Sequence, residues 1–137
     1  MIYWDNNATT PLAEEVLEAM LPYLKGAFFN PSASYTAAKQ VRAALDTARE
    51  QVAALVGAHA DEIIFTSGGT ESDNWALIGV AEQLESKGKH IITSSIEHHA
   101  VLHSCDYLKK RGFEISYLPV DEDGVIDPKR LQRAMRD

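Results

Sequence analysis

The most regular segment of the chain carries apolar residues at helical spacing. Five of them fall on one face of a helix: Val41, Leu45, Ala48, Val52 and Leu55. Gly57 follows as a helix end, because glycine readily adopts the left-handed conformation found there. An earlier helix is predicted from Thr10, a suitable N-cap, to about Leu24, with Pro11 at its first position.

From residue 62 onward, short apolar runs alternate with amphipathic segments. Strands are predicted at residues 62–65 and 90–93, and a third where Phe113, Ile115 and Tyr117 alternate with polar residues. Helices are predicted to about Lys87, over residues 98–110, and after an Asp127 cap through residue 135. This order is typical of an α/β fold, in three layers with a mostly parallel sheet covered by helices.

The predicted sheet is small for a parallel one. Parallel sheets need helices on both faces, and the helices that precede residue 62 can cover only part of it. We therefore expect the 137 residues to be the front part of a larger α/β protein. The alternative is a complete small α/β domain.

Composition narrows the functional classes. The chain is 45% apolar and 24% charged, which is ordinary for a globular protein, and its one cysteine, Cys105, allows no intrachain disulfide. Its net charge of -7, without a Lys/Arg stripe, gives no indication of a nucleic-acid partner. No membrane span or secretory signal is evident, so a cytoplasmic location is expected.

The turn that follows the first predicted strand is rich in glycine and hydroxyl groups. Gly68 and Gly69 permit close approach of a ligand, and the following helix presents free N–H groups and the positive end of its dipole. Such a turn binds anions, above all phosphate. Four hydroxyl donors surround it: Thr66, Ser67, Thr70 and Ser72. Thr70 and Asp73 also match a capping box, and the alternative is a βα turn that only closes a tight corner.

A second polar turn, residues 93–99, follows the next predicted strand. In a parallel sheet it would lie on the same rim as the glycine turn, where His98 could stack on a flat ring or shuttle a proton. The alternative is a surface histidine at a helix start. His99 and His103 are one helical turn apart, a spacing that can hold zinc, and Glu97 is near, but the H-E-x-x-H order and an obvious third ligand are lacking, so no metal site is predicted.

Several ordered motifs together resemble the N-terminal part of the cysteine desulfurases. These motifs are DNNATTP (residues 5–11), NPS (30–32), FTSGGTES (65–72) and EHHAV (97–101). The resemblance covers essentially the whole chain. Cysteine desulfurases are class V aminotransferase-like enzymes that use pyridoxal 5'-phosphate and have the fold type I architecture. The resemblance implies that residues 16–137 begin the cofactor-binding large domain and that residues 1–15 contribute to the small domain.

The resemblance also implies site residues. Gly69 and Thr70 would hold the cofactor phosphate, and His98 would stack on the pyridine ring and take part in proton transfer as a catalytic residue. Asn7 and Ala8 are weaker candidates for substrate contacts. Pyridoxal phosphate has a dianionic handle and a flat ring, so a helix N-terminus and a planar side chain suit it.

The activity implied is transfer of sulfur from L-cysteine to an enzyme persulfide with release of L-alanine, as in iron–sulfur cluster assembly. A homodimer and a sulfur-acceptor or scaffold protein are expected partners. The family's Schiff-base lysine and persulfide cysteine belong to later motifs that these 137 residues do not contain, so the chain alone is expected to be inactive. Cys105, between Leu102 and Leu108, is predicted to be a buried structural thiol.

Two other functions stay open. The chain could derive from another class V enzyme, such as a selenocysteine lyase or an aminotransferase, because the later cysteine motif decides between them. It could also be a non-catalytic remnant or binding domain that keeps the fold without the chemistry.

Overall fold

The structure, a computed structural model, describes residues 2–136. The chain divides into two compact units, one that ends at Ile64 and one that begins at Phe65.

The first unit is helical. It contains α1 (Glu14–Lys25), α2 (Thr36–Val56) and a short 3-10 helix (Ala60–Glu62). The predicted start of α1 at Pro11 is wrong, because Ala13 is still extended and is the N-cap. Starting at Glu14 places two carboxylates, Glu14 and Glu15, at the positive end of the helix dipole, where negative charge is stabilising.

Helix α2 ends at Gly57 as predicted, whereas two residues of its predicted apolar face, Val52 and Leu55, are exposed. Gly57 has φ 70°, in the left-handed region, and its N–H donates to the Ala53 carbonyl. Ala38 and Ala53 are the buried members of α2. Arg49 Nε donates to the Ile63 carbonyl at 3.2 Å, which ties the segment after the 3-10 helix back to α2.

The second unit alternates helices with strands. Its elements are α3 (Gly69–Gln83), β1 (His90–Ser94), α4 (His99–Lys110), β2 (Glu114–Leu118) and α5 (Pro128–Ala134). Strands β1 and β2 are parallel, with His90 opposite Glu114 and Ser94 opposite Leu118. Helix α4 connects them, as parallel strands require, and packs against α3. Its buried side chains include Cys105 and Leu108, both 0% exposed.

The strand predicted at residues 62–65 is wrong. Glu62 closes the 3-10 helix, residues 63–66 form no regular element, and the Ile64 and Phe65 side chains are 60% and 46% exposed. A strand exists only through hydrogen bonds to a neighbouring strand. Residues 62–65 are not part of the described sheet, which has two strands rather than three.

The remaining helix ends in the second unit follow local signals. Helix α3 ends at Gln83, short of the predicted Lys87, although the Lys87 N–H still bonds to the Leu84 carbonyl at 2.8 Å in a continuing turn. Asp127 caps α5 as predicted, because its carboxylate accepts from the Lys129 N–H at 2.9 Å. Within residues 2–136, no helix is both long and apolar enough to cross a membrane.

Candidate functional site

The start of α3 presents free backbone donors. The first bond of the helix runs from the Ser72 N–H to the Gly68 carbonyl at 3.1 Å. The N–H groups of Gly69, Thr70 and Glu71 precede that bond, so they have no acceptor one turn back. The predicted capping box of Thr70 and Asp73 is wrong, because Gly68 is the N-cap and no side chain caps the helix. The glycine cap leaves the donors uncovered.

The hydroxyl groups of this turn correct a second expectation. Thr66 Oγ1 and Ser72 Oγ lie 2.6 Å apart, so one hydroxyl donates to the other, and the second donates to the Gly68 carbonyl, which is 3.1 Å from Thr66 Oγ1 and 3.2 Å from Ser72 Oγ. Ser67 Oγ donates to Glu71 Oε2 at 2.7 Å. Three of the four hydroxyls therefore fix the turn itself. Within the described chain, the Thr70 hydroxyl makes no hydrogen bond and stays available to a ligand.

Glu71 folds back onto the turn. Its Oε2 atom accepts from the Ser67 N–H at 2.6 Å as well as from the Ser67 hydroxyl. The backbone donor first, and then the hydroxyl, lowers the pKa of Glu71 below its ordinary value of 4.5. The carboxylate is therefore ionised near neutral pH.

An open cleft of about 650 Å³ runs along α3 from this turn. Ser67, Thr70 and Glu71 line one end, and Trp75 lies further along the helix. His98 is not among the lining residues. A Cβ atom built on Gly68 or Gly69 would meet nothing within 4 Å, so a ligand can approach the backbone at both positions.

The second polar turn joins β1 to α4. Ser94, the last residue of β1, is 6% exposed, and its hydroxyl donates to Glu97 Oε1 at 2.8 Å. His98 is the N-cap of α4, and its Nδ1 atom accepts from the Ala100 N–H at 3.1 Å. Because Nδ1 accepts, the proton of the neutral ring lies on Nε2, and the exposed ring can donate from that atom.

Two further histidines lie on the first turns of α4. The His99 and His103 rings are stacked with their centroids 5.7 Å apart. Among residues 2–136, no group of three or more His, Cys, Asp or Glu side chains is arranged to hold a metal ion.

Asn7 and Ala8 belong to the first unit, whereas Gly69, Thr70 and His98 belong to the second. Asn7 and Ala8 lie in a tight turn in which the Ala8 N–H donates to the Asp5 carbonyl at 3.1 Å. The Tyr3 hydroxyl lies 2.7 Å from the Asp5 carbonyl and 3.1 Å from the Thr9 carbonyl, so it braces both ends of the turn.

Sequence reasoning missed the two carboxylates that shape these turns. Glu71 lies four residues after Ser67, and Glu97 lies three residues after Ser94. A glutamate three or four residues after a serine, in or before the first turn of a helix, is a recognisable pattern for such back-bonding. That signal was present at both positions.

The fold is that of the fold type I enzymes related to NifS. A solved structure described as a NifS-like protein superposes with a TM-score of 0.93 and 40% identity, over 99% of this chain and 37% of its own. A structure described as SspA in complex with cysteine gives a TM-score of 0.90 and 41% identity, over 98% of this chain and 39% of its own. The chain belongs to the aminotransferase class-V family, whose profile matches residues 2–137.

The chain is also similar in sequence to curated cysteine desulfurases. The chain is 56% identical over 136 residues to the cysteine desulfurase IscS of Methanosarcina thermophila and 57% identical over 135 residues to that of Dictyoglomus turgidum. Each match covers at least 98% of this chain and 34% of the relative. The resemblance to cysteine desulfurases is confirmed, and the chain spans about a third of the length of these curated relatives.

Proposed function

We propose that this chain supplies the phosphate-binding turn and the ring-stacking histidine of a pyridoxal-phosphate-dependent cysteine desulfurase. The observation that carries the proposal is the start of α3, where the N–H groups of Gly69 and Thr70 and the Thr70 hydroxyl have no acceptor or donor partner among residues 2–136 and are open to a ligand. Its support from comparison is the identity to cysteine desulfurases along nearly the whole chain.

The start of α3 fits a phosphate group chemically. Phosphate needs several donors that converge on one side and a positive local potential, and a helix N-terminus provides both. The Glu71 carboxylate is an unfavourable charge in this turn, and it is engaged by Ser67. Gly69 and Thr70 would therefore hold the phosphate, mainly through backbone donors.

His98 would serve the ring of the cofactor. Its Nδ1 is fixed by the Ala100 N–H, which sets the ring orientation and leaves Nε2 to hold or pass a proton. When bound, pyridoxal phosphate supplies an electron-withdrawing ring that stabilises negative charge at the substrate carbon. Asn7 and Ala8 are proposed to contact the L-cysteine substrate, and a sulfur acceptor and a homodimer are proposed for the whole protein.

The isolated chain is proposed to be inactive. Cys105 is 0% exposed, and burial raises the pKa of its thiol, so it is a poor candidate for the persulfide-forming nucleophile. A purified sample given pyridoxal phosphate and L-cysteine should release no L-alanine. Stoichiometric alanine release would contradict this part of the proposal.

Cofactor binding is best tested with pyridoxamine 5'-phosphate, because it has no aldehyde and cannot react with surface lysines. Calorimetry should detect binding to the wild-type chain and much weaker binding of pyridoxamine, which lacks the phosphate. Thr70→Val should weaken binding about 5- to 10-fold, the value of one lost hydrogen bond. Thr47→Val, on exposed α2 surface, is the matched control and should change nothing.

His98→Gln tests the ring contact, with His103→Gln on the same helix as its control. His98→Gln should weaken binding of both pyridoxamine and its phosphate, since both carry the ring. A wild-type chain that binds neither ligand would overturn the proposed function and favour a non-catalytic remnant.

A further inference from the structure

We infer that Glu71 is a positioning residue that holds the glycine turn in its anion-binding conformation. The inference rests on the proposed function, since it concerns the same turn. Glu71 is itself in the first turn of α3, and its Oε2 takes both donors of Ser67, the N–H at 2.6 Å and the hydroxyl at 2.7 Å. These bonds tie the residue before the glycines to the helix that follows them.

The two bonds complete a set that encloses Gly68. The hydrogen-bonded hydroxyls of Thr66 and Ser72 hold the Gly68 carbonyl, and Glu71 holds Ser67. Gly68 and Gly69 have no side chains of their own to restrain them, so without these bonds the backbone would sample many conformations. The direction of the Gly69 and Thr70 N–H groups therefore depends on side chains that do not themselves face the ligand.

The bonds between Ser67 and Glu71 also determine which donors remain for an anion. With the Ser67 N–H and hydroxyl bound to Glu71, the donors left for an anion are those at the helix start. Ser67 is therefore part of the support of the turn rather than a ligand contact.

The negative charge of Glu71 acts in the opposite direction. A carboxylate near a helix N-terminus repels a bound phosphate, so removing that charge alone would strengthen anion binding. Glu71 is in water, where salt screens such a repulsion strongly. Loss of the turn geometry misdirects several donors at once, so it outweighs the gain.

Loss of the turn geometry and loss of the negative charge change the affinity in opposite directions, so variants can distinguish them. The experiment uses the 137-residue chain with pyridoxamine 5'-phosphate. Asp73 is also near the start of α3, and within residues 2–136 its carboxylate makes no hydrogen bond or ion pair, so Asp73→Ala removes one charge without touching the turn. Glu71→Ala should weaken binding about 10-fold or more, whereas Asp73→Ala should leave it within about twofold of wild type or tighten it. Glu71→Gln keeps one acceptor for Ser67 and should restore part of the affinity.

A second measurement reports the contact without any ligand. In NMR spectra of the wild-type chain, the Ser67 amide resonance should shift as acid protonates the Glu71 carboxylate, with a midpoint below the ordinary glutamate value. Glu71→Gln should abolish this titration, and Asp73→Ala should keep it. Ser67→Ala leaves the backbone bond and should weaken ligand binding less than Glu71→Ala does.

The outcomes distinguish the positioning role of Glu71 from the proposed function of the chain. If the wild-type chain binds the phosphate ligand but Glu71→Ala binds as tightly as Asp73→Ala, the positioning role is wrong and the proposed function stands. A Ser67 amide resonance that does not shift with pH would also overturn the positioning role. If wild type binds no ligand while the Ser67 amide titrates, the proposed function is wrong, and with it any role of Glu71 in binding.

Discussion

The buried Ser94 hydroxyl donates to the Glu97 carboxylate at 2.8 Å, and this bond closes the turn that carries His98 from β1 into α4. Glu97→Ala leaves that hydroxyl without its acceptor, so unfolding free energy should fall by about 1–3 kcal/mol. Urea unfolding followed by circular dichroism measures the change. Glu97→Gln keeps an acceptor and should lose less; equal losses for both variants would contradict the assignment.

Gly69→Ala should separate stability from binding. An added Cβ meets no protein atom within 4 Å, and alanine limits the unfolded chain more than glycine does. Stability should therefore rise by up to about 1 kcal/mol, while affinity for pyridoxamine 5'-phosphate falls because the methyl group occupies the approach to the backbone.

The matched control for this change is Gly88→Ala, whose added Cβ also meets open space. It lies in the loop before β1, remote in sequence from the glycine turn, and should leave affinity unchanged. A Gly69→Ala chain that binds as tightly as wild type would show that the ligand does not approach the turn from this side.

The Glu114–Arg136 ion pair should make the stability of the protein depend on pH in the acid range. Arg136 lowers the pKa of Glu114, chiefly by hydrogen bonding, with Arg136 Nη1 2.8 Å from Glu114 Oε2. A carboxyl group whose pKa is lower in the folded than in the unfolded state stabilises the protein at pH values above its unfolded-state pKa. This stabilisation disappears as the pH falls through the folded-state pKa.

Urea midpoints for wild type and Glu114→Gln should therefore differ near pH 7 and converge as the solution is acidified below the ordinary glutamate range. Because both side chains are exposed, added salt should shrink the difference at neutral pH. A difference that grows in acid would contradict the stabilising effect of this ion pair.

Cys105 should be protected from thiol reagents in the native protein. The thiol is fully buried, and burial, followed by the charges of Asp106 and Glu97, raises its pKa. Labelling by a disulfide reagent should be more than about tenfold slower in buffer than in urea at the same pH. Equal rates would show that the thiol is accessible in the folded chain.

Local signals were sufficient for much of the helical structure. Gly57 and Asp127 each mark a helix boundary through conformations or bonds that involve only a few neighbouring residues, and both boundaries were predicted correctly. The apolar flanks of Cys105 likewise predicted its burial. These features depend on periodicity and capping, which a short window of sequence contains.

Features that depend on distant partners were predicted less well. Residues 62–65 have the composition of a strand, but strand formation requires a neighbouring strand, and the described sheet consists of β1 and β2 alone. The glycine turn was recognised by its residue types, whereas its internal bonds were not. Its four hydroxyls were predicted as donors for an anion, yet three of them bond within the turn, because the choice among nearby acceptors depends on the three-dimensional arrangement.

The hydrogen bonds that link Thr66, Ser72 and the Gly68 carbonyl also bear on the thermodynamics and rate of ligand binding. A turn that is already ordered loses little conformational entropy when an anion arrives, because that ordering occurred when the chain folded. Association should then be limited by diffusion and orientation rather than by loop closure. Binding should also show a smaller entropic penalty than it would in a flexible glycine loop of the same length.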